Sequence, residues 1–324
     1  VLYDHKADSW ALFGQLTGHV SDKFRLIGGL RYTHDKKSIN GLINNFIAFC
    51  GGIPPVTPPA SFGVGGRPGG CANPAALPRF PNFLNTGDTI NWLKTNGWIP
   101  AGAVDAPNTQ VFPILSGAGL ILKTYSPNVD SGTFTRATWK ASAEYDLGPA
   151  SLLYATVETG YHSGGFQMAE GRPRYKPEYI TAYTVGSKNR FLDNKVQLNL
   201  EGFLWKYRQQ QITYFTVDTS GTLINSNENA GRSTIKGFDV DLVVKPAANT
   251  TLNAKVQYLD SKYDDLHLYT AAPRDNFACP FTLTGAFAGG APVKDFNCSG
   301  TTGLFAPKWT LNLGAEQIVP VTDK

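Results

Sequence analysis

The feature that most constrains this chain is a two-residue alternation of apolar and polar side chains that returns again and again along its 324 residues. In residues 134–147, FTRATWKASAEYDL, one parity holds Arg136, Thr138, Lys140, Ser142, Glu144 and Asp146. The other holds Thr135, Ala137, Trp139, Ala141, Ala143, Tyr145 and Leu147. Successive side chains of a strand point to opposite faces, so this segment predicts a strand with one polar and one apolar face. The same split marks residues 24–36, 195–208, 235–244, 251–261 and 308–319. Weaker versions lie at 9–20, 150–163 and 179–191, which makes nine candidate strands.

The connections carry a second pattern. Residues 21–23, 148–149, 192–194 and 246–249 are short and rich in turn formers, and they read as tight hairpins. Residues 37–133 and 264–305 read as long connections, with shorter ones near 164–178 and 215–229. Short and long alternate, so an up-and-down sheet collects its tight turns at one end and its long loops at the other. Outer-membrane β-barrels are built this way, from tilted strands of ~10 residues that are apolar outward and polar inward. The alternative is a soluble antiparallel β-sandwich, whose strands are usually only ~5–6 residues long. A 97-residue connection (37–133) also fits poorly in a compact soluble domain. Trp10, Tyr32, Tyr161, Tyr179, Tyr183, Trp205, Tyr207, Tyr258 and Trp309 fall at the long-loop ends of the strands. Trp and Tyr favour a membrane interface, so these aromatics read as a girdle.

Composition closes off other classes. Hydrophobic residues make up 42% of the chain, too many for a disordered segment. No apolar run approaches the ~18 residues of a spanning helix. The net charge of +4 is not gathered into a basic patch, so no nucleic-acid partner is expected. The chain opens at Val1 and holds its single methionine at Met168, and it reads as an internal fragment of a longer protein.

Several segments then resemble one family. FRLIGGLRYTHDKK (24–37) is similar to the "aGLRYthd" strand of TonB-dependent outer-membrane receptors, and GYHSGGFQ (160–167) to their "GykSGGFn" segment. PEYITAYTVGSKNRFLDN (177–194) resembles "PEyvtaYEvGlKsrflDn", and residues 229–240 and 306–316 resemble later strands, in the same order. The resemblance implies an all-β, antiparallel up-and-down transmembrane barrel, of which residues 1–324 would be about nine of 22 strands. The plug domain, the TonB-binding segment and the terminal strands would lie outside this chain. It further implies an outer-membrane receptor of a Gram-negative bacterium. Such a receptor takes up a scarce ligand with energy passed through the TonB–ExbB–ExbD system, in contact with outer-membrane lipid and lipopolysaccharide. A ferric siderophore is the ligand class it favours, with plant- or glycan-derived compounds and cobalamin as alternatives. A passive porin or a loop-dominated adhesin is the competing function. One departure is Thr184, where the family usually has Glu.

The candidate ligand-contacting residues, at the lumen or outer mouth, are Arg31, Arg136, Glu158, Tyr161, His162, Arg172 and Arg174. His162 also reads as a plain rim histidine, and the lumen charges as cross-strand ion pairs that only hold the barrel's shape. Cys50, Cys71, Cys279 and Cys298 fall in pairs within the two longest loops and form no CxxC, which argues against zinc. Loops outside the cell oxidise their thiols, so Cys50–Cys71 and Cys279–Cys298 disulfides are expected. The Gly-rich stretch 63–70, GVGGRPGG, lacks the Lys-Ser/Thr of a phosphate loop and reads as a flexible loop. Asp260, Asp264 and Asp265 read as solvated acids or a calcium site. No catalytic constellation and no metal or cofactor site stands out, so no enzyme is expected.

Overall fold

The computed structural model describes residues 2–50, 86–115, 119–168, 173–217, 223–270, 277–286, 292–303 and 306–319. Nine long strands carry the architecture: β1 (Leu2–His19), β2 (Phe24–Cys50), β4 (Gly119–Gly148), β5 (Ser151–His162), β8 (Glu178–Phe191), β9 (Val196–Val217), β10 (Leu223–Ala247), β11 (Thr250–Thr270) and β14 (Trp309–Gln317). These coincide with the nine segments of alternating polarity. Each pairs antiparallel with its neighbour in chain order, in one sheet that does not close on itself. Short pieces decorate the long-loop end: α1 (Thr86–Thr95), β3 (Gln110–Pro113), the pair β6 (Gly165–Phe166) and β7 (Arg174–Tyr175), and the pair β12 (Phe281–Ala286) and β13 (Pro292–Asn297).

Two neighbouring rows across the sheet show how the alternation is used. One runs Phe24, Tyr145, Leu153, Ser187, Leu200, Val240, Val256, Leu311. The next runs Arg25, Glu144, Tyr154, Gly186, Glu201, Asp239, Gln257, Thr310. A single-residue register step thus separates a hydrocarbon surface from a charged one. No second sheet covers the apolar face among the described residues: Leu200 is 42% exposed, Leu311 62% and Leu313 73%. A soluble sandwich would bury those leucines, whereas a barrel wall presents them to lipid. The polar face is the inner one, and some of its charges pair there. Arg25 Nε donates to Glu144 at 2.6 Å and its Nη1 to Asp146 at 2.7 Å, while Lys255 lies 3.6 Å from Asp241.

The hairpins are tight at one end, at residues 20–23, 149–150, 192–195 and 248–249. Leu192, Asp193 and Asn194 turn through the left-handed region (φ 54°, 54° and 65°), which Asn and Asp tolerate better than most residues.

The long connections differ from the expectation. They are largely extensions of the strands: β2 and β4 stay paired from Phe24↔Tyr145 to Cys50↔Gly119, far beyond the predicted end near residue 36. Antiparallel ladders are held by backbone bonds, so pairing continues where the side-chain alternation has faded. Above the sheet, α1, β3 and β4 bury Ile90, Leu93, Ile99, Phe112, Ile114 and Ile121 in a small core of their own. A second core gathers Tyr214, Tyr263, Leu266, Leu268 and Phe296 around Cys298, whose Sγ is bonded to that of Cys279 at 2.03 Å. That disulfide is the predicted one. Cys71 and the stretch 63–70 lie outside the described residues, so the Cys50–Cys71 pairing does as well.

The aromatic girdle needs correcting at four positions. Tyr183, Phe238, Tyr258 and Trp309 do share the apolar face, and the last three pack with centroids 4.9–5.9 Å apart. Trp205 and Tyr207 alternate with Leu204 and so take the parity of Glu201. Trp205 stacks on buried Phe203 at 4.6 Å. Tyr161 and Tyr179 are drawn into the inner mouth, as described next.

Candidate inner mouth of the barrel wall

Regular pairing of β4 with β5 stops at Lys140↔Glu158. Above that point the two strands part, and side chains fill the split. The Thr159 hydroxyl accepts the Trp139 N–H at 2.9 Å in place of a backbone carbonyl. The Tyr161 hydroxyl donates to Asp35 Oδ2 at 2.7 Å and approaches the Phe134 carbonyl at 3.5 Å. Arg136 lies 4.6 Å over the ring of Tyr179, which in turn neighbours Tyr161 at 6.3 Å. A guanidinium over an aromatic face is attracted by the ring quadrupole, and Arg136 has no carboxylate in salt-bridge contact among the described residues. Asp35 is only 7% exposed and also accepts from Ser9 at 2.5 Å, which ties β1, β2 and β5 together.

Of the connection between β5 and β8, residues 163–168 and 173–177 lie as a strap over the inner side of the strands. Its glycines let it lie flat. A Cβ at Gly164 would come within 2.5 Å of the Tyr175 carbonyl oxygen, and one at Gly165 within 2.4 Å of the Tyr175 hydroxyl. Lys37 of β2 donates to the Gly164 carbonyl at 2.8 Å. Asn128 of β4 donates to the Gln167 carbonyl at 2.8 Å. On the opposite flank Gln167 Nε2 donates to Ser226 at 3.0 Å, and its Oε1 accepts the Asn227 N–H at 2.8 Å. Asn229 holds both backbone groups of Lys176, at 2.6 and 2.8 Å, and Gln211 donates to the carbonyls of Ser163 and Lys176. The strap is therefore stitched to β2 and β4 on one side and to β9 and β10 on the other.

Arg174 makes the strap's ionic anchor. Its guanidinium forms a forked pair with both carboxylate oxygens of Asp130 on the β4 extension and lies 5.3 Å over Phe166. That fork holds the Asp130 carboxyl below the ordinary carboxylate range.

Among the predicted contact residues, Arg136 and Tyr161 come together at the split, and Arg174 anchors the strap nearby. Arg31 and Glu158 lie lower on the inner face. Arg31 stands opposite Thr138 and donates to Thr33 at 3.2 Å, and Glu158 stands opposite Lys140. His162 is exposed at the top of β5, opposite Glu178. Arg172 lies outside the described residues. Asp35, Lys37, Gln167, Gln211 and Asn229 were missed, because their importance rests on partners 26 to 127 positions away. Only SGGF, an apolar residue after paired glycines, marked the strap in advance. Thr184 sits in an uncharged row with Ser142 and Thr156, whose hydroxyls bond at 2.7 Å, so no unpaired charge stands opposite it. Asp260, Asp264 and Asp265 are engaged by Lys236, Thr234 and Arg232, and no cluster suited to a metal occurs among the described residues.

An antiparallel sheet of long strands with hydrocarbon on one face, charge on the other and a strap across its inner mouth is the wall of a transmembrane β-barrel. Residues 2–318 match the family model described as TonB dependent receptor-like, beta-barrel, and the chain belongs to that family. Its members are barrels of the Gram-negative outer membrane, and that is where this wall resides. Among solved structures the chain is similar to the siderophore receptor PiuA from Acinetobacter baumannii (TM-score 0.54, 13% identity, 97% of this chain and 31% of that one). It is also similar to the ferric-catecholate import receptor Fiu from E. coli K12 in its closed form (TM-score 0.50, 13% identity, 97% of this chain and 32% of that one). The chain thus spans about a third of those receptors' length, and at such identity the likeness is one of fold.

Proposed function

We propose that residues 1–324 form the central barrel wall of a receptor that takes up an anionic iron chelate, a ferric siderophore, across the outer membrane. The observation that carries this reading is a set of cations on the inner face of β2 and β4. Arg31, Arg136 and Lys140 stand on adjacent strands and have no carboxylate in salt-bridge contact among the described residues. On the same face Arg25 and Lys255 are paired with carboxylates, and Lys188 lies 5.5 Å over the Tyr154 ring. Cations left open near a mouth raise the local concentration of an anionic ligand and steer it inward. Buried acceptors of Gln210, Gln211 and Asn227 without a protein partner add polar contacts beside the strap. The two solved receptors named above are described as a siderophore receptor and a ferric-catecholate importer, and that supports the same ligand class.

In this reading the energy comes from TonB–ExbB–ExbD, acting on a plug domain outside this chain. The test is uptake of radioactive ferric catecholate by cells expressing the full-length receptor, in strains with and without TonB. Uptake should require TonB, and the R31Q/K140Q variant should need a higher ligand concentration for half-maximal binding. Equal uptake without TonB would transfer the case to a passive porin. Unchanged binding in the variant would remove the role of the cations.

A further inference from the structure

The inner face carries a second set of open cations at its other end, beside the tight turns. On β8 the inward positions beyond Gly186 are Lys188 and Arg190, which stand opposite Asn199 and Gln197 of β9. On the other side Lys188 stands opposite Leu152 of β5. These side chains, with Asp146 and the hairpin residues 148–151, line a polar hollow of about 400 Å³. The hollow opens because Gly148, Pro149, Ala150 and Ser151 are small and turn tightly, leaving space that longer side chains would fill.

Lys188 and Arg190 are exposed, and neither has a carboxylate in salt-bridge contact among the described residues. The one acid lining the hollow, Asp146, is taken by Arg25 Nη1 at 2.7 Å. Asp241, next in the row after Asn199, lies 3.6 Å from Lys255. The hollow is therefore cationic, and the amides of Gln197 and Asn199 add neutral donors. Its size lies within the range of small-molecule sites.

This set is separate from the cations near the mouth. Lys140 stands opposite Glu158 and Lys188 opposite Leu152, six positions further down β5. That is roughly 20 Å along the strands, well past the ~8 Å over which exposed charges act in physiological salt. Between the two sets lie an uncharged row of Ser142, Thr156 and Thr184 and a row holding Glu144, Glu201 and Asp239 against Arg25. An anion moving down this wall leaves the upper cations, meets carboxylates, and finds uncompensated positive charge again only beside the tight turns.

We propose that Lys188 and Arg190, with Gln197 and Asn199, form a second anion-binding subsite that receives the ferric siderophore as it leaves the barrel, a role that rests on the uptake reading above. Guanidinium and ammonium donors hold the anionic oxygens of the chelate by charge-assisted hydrogen bonds. The upper cations capture the ligand, and the lower ones draw it past the acidic row.

The test uses cells expressing the full-length receptor and radioactive ferric catecholate, with binding read on ice and uptake read in energised cells. K188Q/R190Q should bind with the wild-type half-saturation and take up ligand about tenfold more slowly, the low end of what a focusing cationic cleft contributes. K188R/R190K should keep the wild-type rate, and K262Q, at the long-loop end, should match it. A fluorophore on Ala150→Cys, at the wall of the hollow, should be quenched by the ferric chelate only in cells with TonB, and less so when K188Q/R190Q is added. Wild-type uptake or undiminished quenching in K188Q/R190Q overturns the subsite and leaves the uptake reading intact. Weaker binding on ice, or lost heat-modifiable migration, would assign these cations to holding the plug or the wall and also overturns it. Absence of TonB-dependent uptake by the wild type would remove the uptake reading and the subsite together.

Discussion

Tyr154 of β5 donates its hydroxyl to Glu201 Oε2 of β9 at 2.6 Å, across the intervening strand β8, at the point where β8 carries Gly186. A Cβ on Gly186 would lie 2.3 Å from the Tyr154 hydroxyl. The glycine is what allows a tyrosine to bridge two strands that are not neighbours, and the bridge satisfies a carboxylate on the inner wall.

Gly186→Ala should therefore act by displacing Tyr154. Leaving Glu201 without its donor should cost ~1–3 kcal/mol. Tyr154→Phe should cost a similar amount, and the double variant should cost little more than either alone. Unfolding of the receptor in urea, followed by loss of heat-modifiable migration, measures all three. Strict additivity would show that Gly186 does not act through Tyr154.

The two faces should respond in opposite ways to the same change. Val256→Arg places a cation on the lipid face and should cost ~2–4 kcal/mol near mid-bilayer. Gln257→Arg, one residue on and beside Asp239 on the inner row, should be close to neutral. Refolding yield into lipid vesicles reads the difference. Similar losses for both would contradict the orientation of the wall.

Docking of the strap should be acid-sensitive. Arg174 holds the Asp130 carboxyl below its ordinary value. A depressed acid contributes stability that is fully present above its unfolded pKa, about 4. That contribution is lost as pH falls through the lower folded value. A nitroxide placed at Lys176 should be immobile from pH 5 to 8 and gain mobility below about pH 4. In Arg174→Gln this acid transition should disappear, with the label already more mobile at pH 7. An unchanged acid transition in that variant would assign it to another group.

Gly164→Val should prevent the strap from lying flat, since the added carbon meets backbone at Tyr175. Amide exchange in 163–168 and 173–177 should rise while exchange in β8 and β9 stays slow. Ligand binding should weaken if the strap shapes the mouth.

Reducing the Cys279–Cys298 bond, or changing both residues to Ser, should loosen β12 and β13 without unfolding the wall. With the cysteines 19 positions apart, the constraint is worth at most ~3 kcal/mol in the chain-entropy model. Protease cutting within 277–298, seen only after reduction, is the expected result.

The nine crossing strands were legible in the sequence because side-chain alternation is a local property. Leu198, Leu200, Val240 and Leu311 take the lipid face, and Glu201 and Asp239 the inner face, by parity alone. Tight turns at Asp193-Asn194 and at Gly148-Pro149 were equally local. The helix α1 escaped notice because ten residues with a weak apolar stripe become helical only against Phe112, Ile114 and Ile121.

Sequence by itself thus determined the two faces, the alternation of turns and loops, and the pairing of Cys279 with Cys298. The tertiary structure alone decided how far β2 and β4 climb together, where β4 and β5 part, and which residues meet there. Ser9, Asp35 and Tyr161 are separated by 26 and 126 positions, and no spacing rule connects them. The same holds for the strap, whose position depends on hydrogen bonds from β2, β4, β9 and β10 at once. Local polarity fixes which way a side chain points, whereas strand register in three dimensions fixes which side chains it finds there.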